Sequence, residues 1–386
     1  MIDREIKYTK DCMGCSACYN ACKQGAISMN SDQKGFTYPK VNYNTCTKCL
    51  MCINVCPIIN KKKVNRNNIK AYACTNKDNS VRINSSSGGI FTVIAEEILK
   101  HKGVVFGAKF SKDFKVVHSF LEDNQELSKF RGSKYVQSEI GYSYKAARNF
   151  LEQGRQVLFT GTPCQIAGLK SYLGKEYNNL LCQDIICQGV PSPTVWESYL
   201  ACRTAEQGEQ IKEISFRTKD EGWHNYKMNI KFQSGDVYLK SKNEDTYMKA
   251  FSKLLSLRPS CFKCKFKGEH RKSDITLADF WGIKNIEPSL NDNKGISLVL
   301  LNTEKGEIAF EQLKGLITYK EVNFTDSIKH NPMYGKSVPH SKLRDAFFSQ
   351  LNTRDFDSLV NMYAKDTKYK ILVRKLKVYI KNKLNI

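Results

Sequence analysis

Two short stretches constrain this chain more than anything else in it. "CMGCSACYNAC" (12–22) and "CTKCLMCINVCP" (46–57) each space four cysteines as C-x2-C-x2-C-x3-C. A C-x2-C-x2-C loop wraps tightly around three irons of a 4Fe–4S cube. The fourth cysteine, three residues on, sits on a helix and reaches the other cluster. Cys12, Cys15, Cys18 and Cys56 are therefore expected to hold one cluster, and Cys46, Cys49, Cys52 and Cys22 the second. Zinc also accepts sets of four cysteines, but two complementary runs of four argue against it. Two linked clusters accept and pass single electrons.

Pro57 after Cys56 matches the bacterial ferredoxin pattern, whereas Lys23 stands where a proline is expected after Cys22. Residues 1–62 read as a two-cluster ferredoxin-like domain, too small to be stable on its core alone and held together by its clusters. Eight of the 15 cysteines fall in these runs. Thiols so clustered bind metal in a reducing compartment and do not form a disulfide framework. The N-terminus "MIDREIKYTK" lacks an apolar h-region, and no run of 18 apolar residues occurs. The expected location is cytoplasmic. The net charge of +23 suits acidic proteins, anionic lipid or phosphorylated ligands, but no nucleic-acid-binding signature accompanies it and no nucleic acid partner is expected.

Residues 63–70 read as a basic linker. From 71 the pattern alternates strands and helices: a helix over 88–103, a strand over 104–110, a helix over 141–154, and a strand over 157–164. A helix over 165–174 and a buried strand over 180–187 follow. That order predicts a largely parallel sheet with helices on its faces. From about 211 a meander over 213–219, 226–235 and 236–241 precedes buried strands in 273–283 and 296–303. The fold class is α/β, α+β overall: a ferredoxin-like domain, then a mixed-sheet α/β domain over 71–345, then a basic helical C-terminal tail over 346–386. The tail's apolar residues 371, 372, 376, 379 and 380 suit either an anionic membrane surface or a helix capping the core.

Four further cysteines stand at strand ends or in turns: Cys164 in "VLFTGTPCQIAGL", Cys187 in "DIICQGVPSP", and the C-x2-C pair Cys261 and Cys264 in "RPSCFKCKF". Ends of adjacent parallel strands lie side by side, where sites collect. The four can meet around a third 4Fe–4S cluster; a zinc site or buried thiols are the alternatives. Cys74, Cys182 and Cys202 read as ordinary buried cysteines. "NSSSGGIFT" (84–92) opens a helix with bare backbone at Gly88 and Gly89, suited to a phosphate; Ser87 acting as a cap explains it equally. "FRGSKYVQS" (130–138) adds Arg131 and Lys134. His224 in "EGWHNYKM" is a weak candidate proton donor, with a plain loop residue as the favoured reading.

"SSGGIFT", "FRGSKYVQS", "VLFTGTPCQIAGL", "CQGVPSP", "CFKCKF" and "DITLADFWGI", in this order behind two ferredoxin runs, resemble the coenzyme F420 hydrogenase/dehydrogenase beta-subunit family over residues 71–285. The resemblance implies FAD, iron–sulfur clusters and cluster ligation by Cys164, Cys187, Cys261 and Cys264. It also implies an FAD site of Ser87, Gly88, Gly89, Lys134, Tyr135, Gln137, Thr160, Gly161 and Thr162. Gln188 departs from the family's usual histidine.

The function so implied is an iron–sulfur flavoprotein oxidoreductase. Electrons come from a ferredoxin-type donor, and a hydride goes to coenzyme F420 or another small-molecule acceptor. Two other readings stand beside it: an electron-transfer subunit for a partner enzyme, and a reductase in polysaccharide biosynthesis. Expected partners are an acidic electron carrier such as ferredoxin or a partner redox subunit, with the basic tail offering a peripheral contact at the inner membrane face.

Overall fold

The computed structural model describes residues 1–5, 11–60 and 68–365. Strands β1 (Ile27–Ser31) and β2 (Thr37–Val41) pair antiparallel in the N-terminal unit. Next come β3 (Lys70–Asn76), β4 (Val104–Phe110), β5 (Val116–Leu121), β6 (Val157–Gly161) and β7 (Leu180–Ile185). The meander is β8 (Ile211–Thr218), β9 (Lys227–Phe232) and β10 (Val237–Ser241), and β11 (Ile275–Asp279), β12 (Ser297–Leu301) and β13 (Ile317–Val322) complete the set.

Eight strands form one sheet in the order β13-β3-β12-β11-β7-β6-β4-β5. Its centre is parallel: β4 pairs with β6, β6 with β7, and β7 with β11. Both flanks are antiparallel, so the sheet is mixed, as expected. The reason lies in the side chains. "VVF", "VLF", "LLC" and "LVLL" are apolar without alternation because helices cover both faces. Ile90, Val93, Ile94 and Leu99 of helix Ile90–Lys100 pack one face with Phe310 and Leu313. Tyr144, Ala147 and Leu151, with Ile166 and Leu169 of helix Pro163–Leu173, pack the other.

The meander forms a separate sheet, β10-β9-β8. It buries Phe216, Met228, Ile230 and Phe232 against Trp196 and Tyr199 of helix Pro193–Gln207.

Two boundaries differ from the sequence reading. Lys70, placed in the linker, already pairs in β3, and residues 63–67 of that linker lie outside the described residues. The tail begins later than 346: Phe347, Phe356, Leu359 and Val360 are buried in the meander's core. The basic stretch 366–386, with its proposed membrane contact, lies outside the described residues. Cys74 and Cys182 are buried, as expected, but Cys202 is only half-buried and lies beside Arg203, Glu206 and Asp357.

The N-terminal unit docks on the helical face of the main sheet. Ala17 and Ala21 enter the same core as Tyr144 and Leu169. Asn20 Nδ2 donates to the Gly141 carbonyl at 2.9 Å. Gly168 is required by this close approach: a Cβ there would lie 2.9 Å from Cys15 Cβ and from Tyr144 Oη. Alanine usually stabilises a helix interior by about 1 kcal/mol over glycine. Overpacking costs about 1–3 kcal/mol, and neither Cys15 nor Tyr144 is free to retreat. Gly168→Ala is therefore expected to be net destabilising, and to loosen the N-terminal unit, read by denaturant unfolding and by limited proteolysis near residue 60.

Candidate functional site

The two cysteine loops share a backbone. Gly14 (φ 64) and Ser16 (φ 61) flank Cys15, and Lys48 (φ 56) and Leu50 (φ 62) flank Cys49. Non-glycine residues rarely adopt positive φ, so the repeat of this conformation at equivalent positions marks one loop geometry used twice. Each loop opens a short helix, Ala17–Ala21 and Met51–Asn54, that carries the third cysteine of its run.

Cys12, Cys15, Cys18 and Cys56 are electrostatic neighbours of one another. Cys12, Cys18 and Cys56 are buried and Cys15 partly so. Cys52 is buried and packs with Cys22 and Cys46, while Cys49 is exposed. One group thus faces inward and the other toward the surface. Backbone N–H groups point at the sulfurs: Gly14 N lies 3.5 Å from Cys12 Sγ and Ala26 N 3.2 Å from Cys22 Sγ.

Cys164 follows β6, Cys187 follows β7, and Cys261 and Cys264 lie on and just after the 3-10 turn Pro259–Lys263. All four line one small recess together with Met13, the residue after Cys12. Val190 N approaches Cys261 Sγ at 3.4 Å. Burial pushes the Cys15 and Cys261 thiols up to about 12 and Cys187 up to about 11. Cys18 and Cys164 rise strongly for the same reason. Such groups become thiolates only beside strong positive charge.

Zinc draws its four sulfurs to about 3.8 Å from each other, from a metal–sulfur bond of about 2.3 Å. Among the described residues, no three cysteines bring their sulfurs within 4.8 Å.

Beside the recess lies a cavity of about 700 Å³ at the carboxyl ends of the parallel strands, within the range of cofactor sites and at the edge where α/β sheets bind ligands. Residues 187–190 line both spaces. Of the nine anticipated FAD residues, Ser87, Gly89, Lys134, Tyr135, Thr160, Gly161 and Thr162 line the cavity. Gly88 and Gln137 are outside its lining. Gly88 N donates to Ser297 Oγ at 3.0 Å, and Gln137 Oε1 accepts from Arg258 at 3.0 Å. His224 is exposed, lies outside the cavity and faces Asn291. Gln188 is in the lining and reaches toward the Phe251 carbonyl at 3.5 Å.

Other lining residues carry no sequence signature. His118 Nε2 lies 3.0 Å from the Thr160 carbonyl, so that nitrogen is assigned the proton. Its Nδ1 accepts from Ser138 Oγ at 2.9 Å, and Ser138 accepts from Gln165 Nε2 at 2.8 Å. Gln165 Oε1 accepts from Thr162 N at 2.9 Å, and Thr162 Oγ1 lies 3.1 Å from Cys164 Sγ. One hydrogen-bonded chain therefore joins the Cys164 sulfur to His118. Burial pushes the His118 imidazole down to about 4 and the Lys134 ammonium down to about 7. Arg217 pairs with Asp279 at 2.6 Å beneath Tyr226, and Trp281 stacks on Trp223 at 4.8 Å. Below the lining, the buried Arg271–Asp184 pair at 2.9 Å fixes the end of β7.

These features define the class: an iron–sulfur oxidoreductase domain, with its cysteine groups leading to a cavity of ligand size. Residues 11–58 match a 4Fe-4S dicluster domain, and residues 154–324 match the C-terminal family of the coenzyme F420 hydrogenase/dehydrogenase beta subunit. The two matches cover separate parts of the chain, and the family match starts and ends further along than the resemblance over 71–285 suggested.

A coenzyme F420-dependent sulfite reductase of Methanocaldococcus jannaschii is 23% identical over 374 residues, covering 92% of this chain and 54% of that protein. The pyruvate synthase subunit PorD of the same organism is 38% identical over 55 residues, covering 14% of this chain and 59% of that one. The chain thus spans little more than half the length of these curated relatives. Among solved structures, a chain of the F420-reducing NiFe hydrogenase complex from Methanosarcina barkeri is 16% identical with a TM-score of 0.46, covering 78% of this chain and 91% of that one.

His118 yields a pH prediction. Its folded value, about 4, lies below the ordinary 6.5 of a histidine, so the unfolded chain binds more protons between the two. The stability it contributes is full above the unfolded value and is lost as pH falls toward the folded one. His118→Gln is expected to flatten the fall in unfolding free energy between about pH 6.5 and 5, above the range where most carboxylates titrate, as measured by urea titration at each pH.

Proposed function

We propose that this chain is an iron–sulfur flavoprotein oxidoreductase with three 4Fe–4S centres and one FAD. The outer centre is held by Cys22, Cys46, Cys49 and Cys52, and the inner one by Cys12, Cys15, Cys18 and Cys56. The third is held by Cys164, Cys187, Cys261 and Cys264. The observation that carries the reading is continuity. Met13 of the inner loop enters the recess of the third cysteine group, and residues 187–190 line both that recess and the 700 Å³ cavity.

When bound, the clusters and FAD supply one-electron transfer and its conversion to hydride chemistry. The chain's residues hold, space and insulate them. Ser86, Ser87 and Ser133, with Gly89 opening a helix, form a small-residue wall of the cavity suited to phosphates. Lys134, its Nζ held by the Arg131 and Gly132 carbonyls, adds an amine that a phosphate would favour in its charged form. Trp281 and Tyr226 bound the other side, where a small-molecule hydride acceptor, F420-like or otherwise, is placed by this reading.

A second reading, an electron-transfer subunit serving a partner enzyme, draws on one feature. Cys49, Leu50 and Met51 of the outer loop are exposed, at 48% for Leu50 and 39% for Met51. A partner redox protein docking there would meet apolar surface beside the outer centre. The readings separate on whether the purified chain, reconstituted with FAD, oxidises a reduced ferredoxin-type carrier and reduces a small molecule unaided.

Anaerobically purified protein is expected to hold about twelve irons and twelve acid-labile sulfides, at four per cluster; a content near eight would remove the third centre. Cys261→Ala should lose one cluster's worth of iron and keep the rest. FAD should bind and show flavin absorbance. Lys134→Met should raise its dissociation constant about tenfold, since hydrogen bonds to charged groups contribute about 1.5–3 kcal/mol. Protein that takes up no flavin under these conditions would end the flavin reading.

A further inference from the structure

Arg258 lies between the inner cysteine group and the third one, with no solvent exposure. Its guanidinium makes three hydrogen bonds: Nε to the Cys12 carbonyl at 2.8 Å, Nη1 to Gln137 Oε1 at 3.0 Å, and Nη2 to the Thr37 carbonyl at 2.9 Å. The Tyr38 ring lies 4.4 Å away. Every acceptor is neutral, and among the described residues no carboxylate is paired with it. The backbone of the same residue holds the other group in place. Its N–H donates to the Val190 carbonyl at 2.9 Å, and its carbonyl accepts from Cys261 N at 3.0 Å. Gly14 gives it room, since a Cβ there would stand 2.8 Å from Arg258 Nη1.

A buried cation without a carboxylate is costly unless negative charge stands near it. The groups able to supply that charge are the surrounding sulfurs. Arg258 acts electrostatically on both Cys15 and Cys261 and lines the recess with all four cysteines of the third group. The seat of an added electron is then a ligated cluster on either side of it.

We propose that Arg258 is a positioning residue that couples the inner and third centres: its fixed positive charge raises the reduction potential of both, while its hydrogen bonds lock the N-terminal unit against the sheet. The proposal rests on the three-cluster reading. It assigns Gln137, anticipated as a flavin contact, to the support of this cation.

The test is a redox titration of the anaerobically purified full chain, monitored by electron paramagnetic resonance. Arg258→Gln removes the charge. Gln137→Glu leaves the arginine in place and sets a carboxylate against it. Both are expected to lower the potentials of the inner and third centres. The shift should change the reduced-to-oxidised ratio at fixed potential at least tenfold, about 59 mV for one electron. The outer centre should be unmoved, and Arg258→Lys should restore most of the shift. A merely structural brace would not respond to Gln137→Glu in this way. Unchanged potentials in variants with full iron content would overturn the proposal; should Arg258→Gln fail to load its clusters, Gln137→Glu decides alone. Wild-type iron near eight or below would overturn the underlying reading, and with it this one, before any potential is measured.

Discussion

Buried sulfur in need of positive charge is the constraint on which this structure depends. Water solvates a thiolate well and a protein interior does not, so burial drives the thiols of Cys15, Cys187 and Cys261 toward the protonated form. Cysteines gathered this way gain little by hydrophobic packing alone. On the proposed reading, iron among them reverses the balance, since coordination deprotonates the thiol and couples metal binding to folding. The repeated positive-φ conformation at Gly14, Ser16, Lys48 and Leu50 shows the same economy in the backbone. Local strain is tolerated where ligand geometry over-determines the chain.

The parallel strands explain why the third group lies beside the cavity. β6 and β7 run side by side and end together, so Cys164 and Cys187 leave the sheet at one edge. The carboxyl ends of parallel strands are where α/β sheets collect ligands. The turn carrying Cys261 and Cys264 is brought to that edge by the bridge between Pro191 and Leu257. The N-terminal unit then closes the recess with Met13. Sheet, cysteines and cavity follow from one topological fact.

Much of this was legible in the chain. The cysteine spacing foretold two loops of one geometry, and the apolar runs foretold β4, β6 and β7 nearly to the residue. Of the seven anticipated residues that line the cavity, Ser87, Gly89 and Lys134 stood out in the chain itself, while Tyr135, Thr160, Gly161 and Thr162 were carried by resemblance alone, because small-residue turns have no chemistry that distinguishes a cofactor wall from a cap. The role of His118, and of Ser138 and Gln165 inside the quoted motifs, was hidden for a different reason. Each comes from a separate segment, and only tertiary packing joins them into one hydrogen-bonded chain. His224, read in sequence chiefly as a plain loop residue, is exposed beside the buried Trp223. Gln137 misled through its neighbours: Tyr135 points into the cavity, but Gln137, in the same run, supports Arg258.

Charge arranged along this path has a direction. Around the outer cysteines, Cys49 is open to water, and solvent can stabilise an added electron there. Inward, buried cationic side chains stand near the sulfurs: Arg258 beside Cys12, Lys267, whose ammonium burial pushes below its usual range, donating to the Cys187 carbonyl at 2.6 Å, and Arg271, paired with Asp184, reaching the Ile185 carbonyl at 2.9 Å. Lys267 and Arg271 both act on Cys187. Burial by itself would make each inward step harder for an electron, because a charge in a low-dielectric interior loses its hydration. The buried cations oppose that penalty beside the inner and third cysteine groups. A surface with +23 net charge cannot do this, since exposed charges are screened within about 8–10 Å at physiological salt. On the proposed reading, the cations that bear on electron flow are the ones the fold has taken out of water.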